Sequence, residues 1–233
     1  MAGFKENQKE ETDSLVDILR VQSGSLENSY SLPKEYLMYG AQEISSFVMT
    51  QCMVQKLKTT LIDILLPGAS GLSLVYSSEL HGFALSTLMS KAQEGPSGGC
   101  FILAIMEDDS SSEEYQRVFG AIFTNRLEYQ RTSFGTSNTT LFRFSTPRKQ
   151  CTQGAYNSIL NLYGVHGGGE SSFYIMAKKE YLAFGCSDAR FGLVLAKDLL
   201  RGESHPVDTF RNERLSHNEA FNIRQIELWY VRV

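Results

Sequence analysis

Apolar and polar positions change their rhythm once along the chain. Over residues 33–66 the apolar side chains recur at spacings of three and four: Tyr36, Leu37 and Tyr39, then Ile44, Phe47, Val48, Met53, Leu57, Leu61 and Leu65. That spacing predicts two or three helices, opened by Pro33 at a first helical position, broken near Gly40 and stopped at Pro67-Gly68. Beyond Gly71 the period falls to that of strands. Segments 72–76, 100–106, 118–124, 140–145, 172–178, 182–184, 192–195 and 221–231 are short, rich in aromatic and branched residues, and separated by Gly, Ser, Asn or Pro. One helix, 85–92, interrupts them. Long helices do not alternate with the strands, which excludes a doubly wound sheet. The pattern predicts an α+β, mainly β fold: an antiparallel two-sheet β-sandwich with a few helices, preceded by N-terminal helices.

The first 32 residues differ in charge. They hold Lys5, Lys9 and Arg20 against Glu6, Glu10, Glu11, Asp13, Asp17 and Glu27, a balance of −3 out of the chain's −4. With the polar run 22–31 this marks a partly disordered extension. Inside it Asp13 can cap a short helix whose Leu15, Val16, Ile18 and Leu19 form an apolar stripe, to dock on its own domain or on a partner. The expected division is therefore an extension 1–32, a helical segment 33–66 packed on the domain, and a sandwich over 67–233.

Composition narrows the class without naming an activity. At 233 residues with 42% hydrophobic and 21% charged residues, the chain supports one domain and an extension. A pI near 5.6 argues against a nucleic-acid binder, since phosphate neutralisation needs a basic face. The charged start argues against a secretory signal. The longest apolar window, 61–66, is interrupted by Asp63 and closed by Pro67, far short of the roughly 18 residues of a membrane span. Ala2 stands where N-myristoylation needs Gly. A cytoplasmic monomer is expected. Cys52, Cys100, Cys151 and Cys186 are 35 to 51 residues apart and read as reduced thiols; the sequon at Asn138 is set aside for want of an export signal.

Isolated motifs offer little chemistry. His81, His166, His205 and His217 have no zinc-ligand spacing and read as surface or structural residues. The acidic run from Glu107 to Glu114 lacks the ligand alternation of a calcium loop and reads as a solvated hairpin tip. Gly164-Val165-His166-Gly167-Gly168-Gly169 has no following Lys-Ser/Thr or helix and reads as a connection rather than a phosphate cradle. No GxSxG elbow occurs. Cys186 precedes Arg190 by four residues, so the guanidinium could lower the thiol pKa if it reached the sulfur. No metal, cofactor or catalytic set emerges.

The order of short blocks is more telling. Tyr76-Ser77 leading through His81-Gly82 to a helix, Phe119-Gly120, Phe134-Gly135-Thr136, Phe184-Gly185 through Arg190-Phe191-Gly192, Gly202-Glu203-Ser204, Phe210-Arg211-Asn212 and Ile226-Glu227-Leu228-Trp229 resemble the TLDc domain family, in register from about residue 45. Leu72 where many members carry Trp, Ser137-Asn138 in place of Gly-Glu, the long acidic tip and the Cys186-Ser187-Asp188-Ala189 turn mark a divergent member. Tyr76, His81, Gly82, Phe119, Gly120, Gly135, Gly185, Gly192, Gly202, Phe210, Asn212 and Trp229 read as architecture. The resemblance implies a link to oxidative-stress resistance. It also implies binding to the head and peripheral stalk of the V-type proton ATPase, which the protein would inhibit or help to disassemble, with recruitment to acidic-organelle membranes. Glu170, Asp188, Arg190, Glu203, Arg211 and Glu213 are the candidate contact residues for that partner. The alternatives are a thiol-dependent redox enzyme using Cys186 and a generic interaction adaptor.

Overall fold

The computed structural model describes residues 35–39, 42–95, 98–108, 115–147, 158–165 and 173–233. Twelve strands are present among them. β1 (Glu35–Tyr39) and β2 (Gln42–Ser46) form a separate antiparallel hairpin. The others are β3 (Gly71–Ser77), β4 (Cys100–Glu107), β5 (Tyr115–Phe123), β6 (Thr140–Pro147), β7 (Ile159–Gly164), β8 (Ile175–Ala177), β9 (Tyr181–Ser187), β10 (Arg190–Ala196), β11 (Arg201–Glu203) and β12 (Ala220–Arg232). The helices are α1 (Gln51–Leu57), extended by a π turn (Lys58–Ile62) into α2 (Asp63–Leu65), then α3 (Ser78–His81) and α4 (Leu85–Glu94).

All strand pairings are antiparallel, in the order β7-β6-β5-β4-β12-β11-β10-β9-β8, with β3 also on β12. The long strand β12 belongs to two sheets. Its start, Ala220–Asn222, pairs with β11, whereas Glu227–Arg232 pairs with β3 and the opposite edge pairs with β4. The result is the two-sheet sandwich. Phe101, Leu103, Ile105, Phe119, Phe123 and Leu141 of the first sheet meet Ile175, Leu182, Phe184, Leu193 and Leu195 of the second, and α4 adds Leu85, Leu88 and Met89 to the same interior. Strand alternation sends Ile102, Ala104, Ile122, Phe144 and Trp229 to the first sheet's outer face, where α1 covers them with Met53, Val54 and Leu57. Both faces of β4 are therefore buried, which accounts for its uninterrupted apolar run.

The expected helices over 33–66 are corrected in their first part. Residues 35–39 and 42–46 are paired strands, Tyr39 opposite Gln42; Gly40, the expected helix break, lies outside the described residues. A short apolar run such as Tyr36-Leu37-Met38-Tyr39 satisfies either period, and its aromatic content favours a strand. The helical pattern holds from Gln51, where the Thr50 hydroxyl accepts from Met53 N–H to cap α1. Thr59 and Thr60 donate side-chain hydroxyls back to Gln55 and Lys56 carbonyls in the π turn, the kind of competing bond that widens a helix. The extension 1–32 and its apolar stripe lie outside the described residues. Strands β7 and β11 go beyond the segments expected from the pattern.

Candidate functional site

The hairpin from β9 to β10 turns through Asp188 and Ala189, both left-handed at φ 49° and 60°, with Ser187 opposite Arg190. Two central residues at positive φ form the tight type I′ connection that matches strand twist. It presents Asp188, Ala189 and Arg190 to solvent. A long connection after β11 is stapled beneath it. Thr209 accepts from Cys186 N–H at 3.2 Å and donates to Cys186 O at 3.1 Å, and Asp208 N–H reaches Ser187 Oγ at 3.2 Å. Asn212, buried, accepts from Val207 N–H and donates to His205 O and Glu213 O. Ser204 bridges Gly192 O and Leu215 N–H. Gly185 sits at φ +66° against Phe210, whose ring carbons lie 2.6 Å from where a Cβ would be, so any side chain there would push the connection off the hairpin.

Of the expected contact residues, Asp188, Arg190, Glu203, Arg211 and Glu213 are exposed. The stapled connection places Arg211 on the segment beneath the Asp188–Arg190 turn. Glu213 is turned to the first sheet, where Arg143 pairs with it at 2.7 Å and also donates to Arg214 O. Glu170 lies outside the described residues.

A groove of about 750 Å³ runs over the outer face of the second sheet, floored by Tyr181, Phe191, Val194 and Ala196 and bordered by Arg190, Glu203 and His205. Phe191 packs its ring at 5.6 Å from Tyr181 and 5.8 Å from Phe173.

Among the described residues two acidic side chains are buried, Glu107 and Glu227, and the sequence pattern assigns neither a functional role. Glu227, with no exposure, accepts from Ser46 Oγ at 2.6 Å, Phe47 N–H at 2.8 Å and Trp229 Nε1–H at 3.0 Å. Ser46 Oγ in turn accepts from Val48 and Met49 N–H, so one carboxyl ties the segment after β2 to the central strand. Burial pushes Glu227 above the ordinary carboxylate range, against the lowering effect of those hydrogen bonds. Glu107 is corrected from a solvated tip residue to a buried one. It bonds His217 through both oxygens, and burial raises its pKa although His217 and Arg117 oppose the rise. Residues 109–114 lie outside the described residues.

Burial, and then Asp188, push the Cys186 pKa up, opposite to the lowering that Arg190 could give if it reached the sulfur. Cys52, Cys100 and Cys186 form no disulfide, and burial lifts the Cys100 thiol to about 12. Among the described residues no group of three or more His, Cys, Asp or Glu is placed to hold a metal ion, and no helix is long and apolar enough to cross a membrane.

Comparison with known proteins decides the family: a sequence model described as the TLDc domain matches residues 42–232. The chain belongs to the TLDc family. It is 30% identical over 156 residues to nuclear receptor coactivator 7 of Mus musculus and 31% identical over 157 residues to oxidation resistance protein 1 of Homo sapiens, each match covering 67% of this chain. Those stretches are 14% and 15% of the two relatives, so this TLDc chain corresponds to about a seventh of their length.

The TLDc signature residues fall into local groups. Tyr76 stacks on His81 with centroids 5.5 Å apart and donates its hydroxyl to Gly82 O, while His81 Nδ1 accepts from Ser77 N–H, which fixes the passage from β3 through α3. Phe119 meets Phe221 edge-on at 5.0 Å, and Gly202 lies under the same Phe221 ring. Gly120 faces the Leu103 carbonyl so closely that a Cβ would stand 1.8 Å from its oxygen. Gly135 backs onto Tyr174 and Ile175, and Gly192 joins Gly185 against Val207. Trp229 serves the carboxyl of Glu227 from within β12. These groups are spread over the sandwich and do not converge on one cleft.

Proposed function

We propose that this TLDc chain is a non-catalytic binding protein that docks on the cytosolic sector of the V-type proton ATPase, at its head and peripheral stalk, and inhibits the pump or promotes its disassembly. The observation that carries the reading is the family match over residues 42–232. A relative named oxidation resistance protein 1 supports a role in oxidative-stress resistance, reached through the pump rather than through turnover of oxidants. The thiol alternative would need a lowered thiol pKa, and burial and Asp188 act on Cys186 in the other direction.

Action is by differential binding: a ligand shifts an assembly only by holding the separated or stalled state more tightly than the working one. A rigid body suits that task, because it does not lose binding energy to its own ordering. The stapled turn carrying Asp188 and Arg190, with Arg211 on the connection beneath it, supplies such a body with exposed charge. Glu170, Glu203 and Glu213 complete the proposed rim. The protein works as a monomer in the cytoplasm and reaches acidic organelles through the pump, without a cofactor. Its parts are the extension 1–32, the segment 33–66 and the body 67–233.

The test is capture from cytosol with tagged full chain, under ATP-replete and starved conditions, followed by acidification of isolated organelles. Head and stalk subunits are expected in the eluate, with slower ATP-driven acidification. Recovery of no pump subunit in either condition defeats the proposal. Reversal of Arg190 and Arg211 is expected to weaken capture while the melt stays unchanged.

A further inference from the structure

Of the chain's five prolines only Pro147 follows a Ser or Thr, and in the sequence Thr146-Pro147-Arg148-Lys149 two bases come after it. We propose that Thr146 is a phosphorylation site for a proline-directed protein kinase, and that Lys56 of α1 is the cation that receives the new phosphate. The inference concerns regulation and does not depend on the pump reading.

The sequence carries the recognition chemistry. A proline after the acceptor has no N–H and a fixed φ near −65°, so it suits a kinase groove that spends no hydrogen-bond acceptor at that position, and the following bases suit an acidic groove. A short motif needs its structural context, and the fold supplies one. Thr146 is the penultimate residue of β6, extended and half-buried. Its ladder is one-sided: Gln116 of β5 lies opposite it, whereas pairing with β7 stops at Ser145, opposite Ile159. Strand ends of this kind open at little cost. The Thr146 hydroxyl accepts from Ser158 Oγ at 3.4 Å, a long bond that gives way easily.

A receiver for the phosphate is already in place. Thr146 stands two residues beyond Phe144 and so shares the outer face that α1 covers. From α1, Lys56 lies over the Phe144 ring with Nζ 5.8 Å from its centroid, and donates to Ser158 O. Ser158 therefore touches both residues, Thr146 through its hydroxyl and Lys56 through its carbonyl. An ammonium has three donors, and among the described residues Lys56 forms no ion pair. In the transfer, Thr146 Oγ1 attacks the γ-phosphorus of ATP. The new O–P bond forms as the bond to the β-phosphate oxygen breaks, ADP leaves, and the hydroxyl proton passes to the kinase's catalytic carboxylate. The product carries roughly −1.5 to −2 charges and three acceptor oxygens. Set beside Lys56, it makes a charge-assisted bond that ties α1 to the edge formed by β6 and β7.

The test is to incubate the full chain, native and heat-unfolded, with magnesium ATP and a cyclin-dependent kinase, and to map phosphate by mass spectrometry. The native chain is expected to take phosphate at Thr146, and Thr146→Val to take none. Phosphorylation is expected to raise the melting temperature by about 2–4 °C. Phosphorus NMR is expected to show the second ionisation of the phosphate at lower pH in the wild type than in Lys56→Ala, because a nearby cation favours the dianion. Lys56→Arg is expected to keep both effects and Lys56→Ala to lose both, each variant being compared with its own unphosphorylated form. The proposal is overturned if the native chain takes no phosphate at Thr146 or takes it only when unfolded, if the wild-type melt does not rise, or if either effect survives unchanged in Lys56→Ala.

Discussion

The two outer faces of this sandwich are built from the same material and finished in opposite ways. On the first sheet, Ile102, Ala104, Phe144 and Trp229 are sealed beneath α1, and Glu227 bonds Ser46 and Phe47 just ahead of that helix. On the second, Tyr181, Phe191, Val194 and Ala196 remain half-covered, beside a turn that tolerates two non-glycine residues at positive φ. The sealed face is where stability is concentrated. The open face carries side chains that the fold does not need to bury, and these are free to serve recognition.

The largest blow to this contrast is removal of the covering layer. Deleting everything ahead of Gly71 strips Met53, Val54 and Leu57, each 1–2% exposed, at about 2–5 kcal/mol per buried side chain against a net stability of roughly 5–15 kcal/mol. A thermal melt is expected to show no cooperative transition; an unchanged melt would place the stabilising core elsewhere. One substitution, made on each face, then compares them directly. Met53→Lys buries a lone charge and is expected to cost about 3–5 kcal/mol, while Val194→Lys stays within about 0.5 kcal/mol, both read from denaturant midpoints. Equal losses would erase the distinction.

Glu227 sharpens it further. Glu227→Ala leaves the Ser46, Phe47 and Trp229 donors buried without an acceptor, an expected loss of about 2–4 kcal/mol. The sign with pH follows from the raised native pKa. The folded carboxyl keeps its proton to higher pH than the unfolded one, so its contribution is full below the ordinary value of 4.5 and is lost as pH rises through the raised native value. Glu107 adds a slope of the same sign. Urea midpoints measured across that window are expected to fall with pH in the wild type, less in Glu227→Gln, and least with Glu107→Gln added; a slope unaffected by either change would assign it to other groups. The smallest effect belongs to the turn, where Ala189→Gly relieves a left-handed alanine and is expected to stabilise by about 0.5–1 kcal/mol. A lower melting temperature would show that φ 60° carries no strain there.

Much of the sandwich could be read from the sequence because β3–β6, β8–β10 and β12 are short runs rich in aromatic and branched residues, bounded by turn residues, and β4 is apolar throughout because both of its faces are buried. β11 could not: Arg201-Gly202-Glu203 has no apolar signal and exists because β10 and β12 pair with it on either side. In β7, Asn161 breaks the run and Ile159 is exposed at an edge. The polar sites were hidden by distance. A glutamate on a strand looks solvent-facing until its partners are known, and Ser46 stands 181 residues from Glu227, as His217 stands 110 from Glu107. The groove was concealed for another reason. Phe191 and Val194 have the composition of core strands, and only three-dimensional placement leaves them uncovered.

The sharing of β12 between the two sheets also sets an order of events during synthesis. Gly71 meets Arg232 and Cys100 meets Val231, so eleven strands leave the ribosome before the strand that joins them. Until then β4, buried along its whole length in the finished protein, has an apolar edge with no partner on that side, the condition under which chains pair with one another instead of with themselves. Closure is thus a late, long-range step, slow by its topology, and that seam stays without its partner until Ala220–Arg232 arrives.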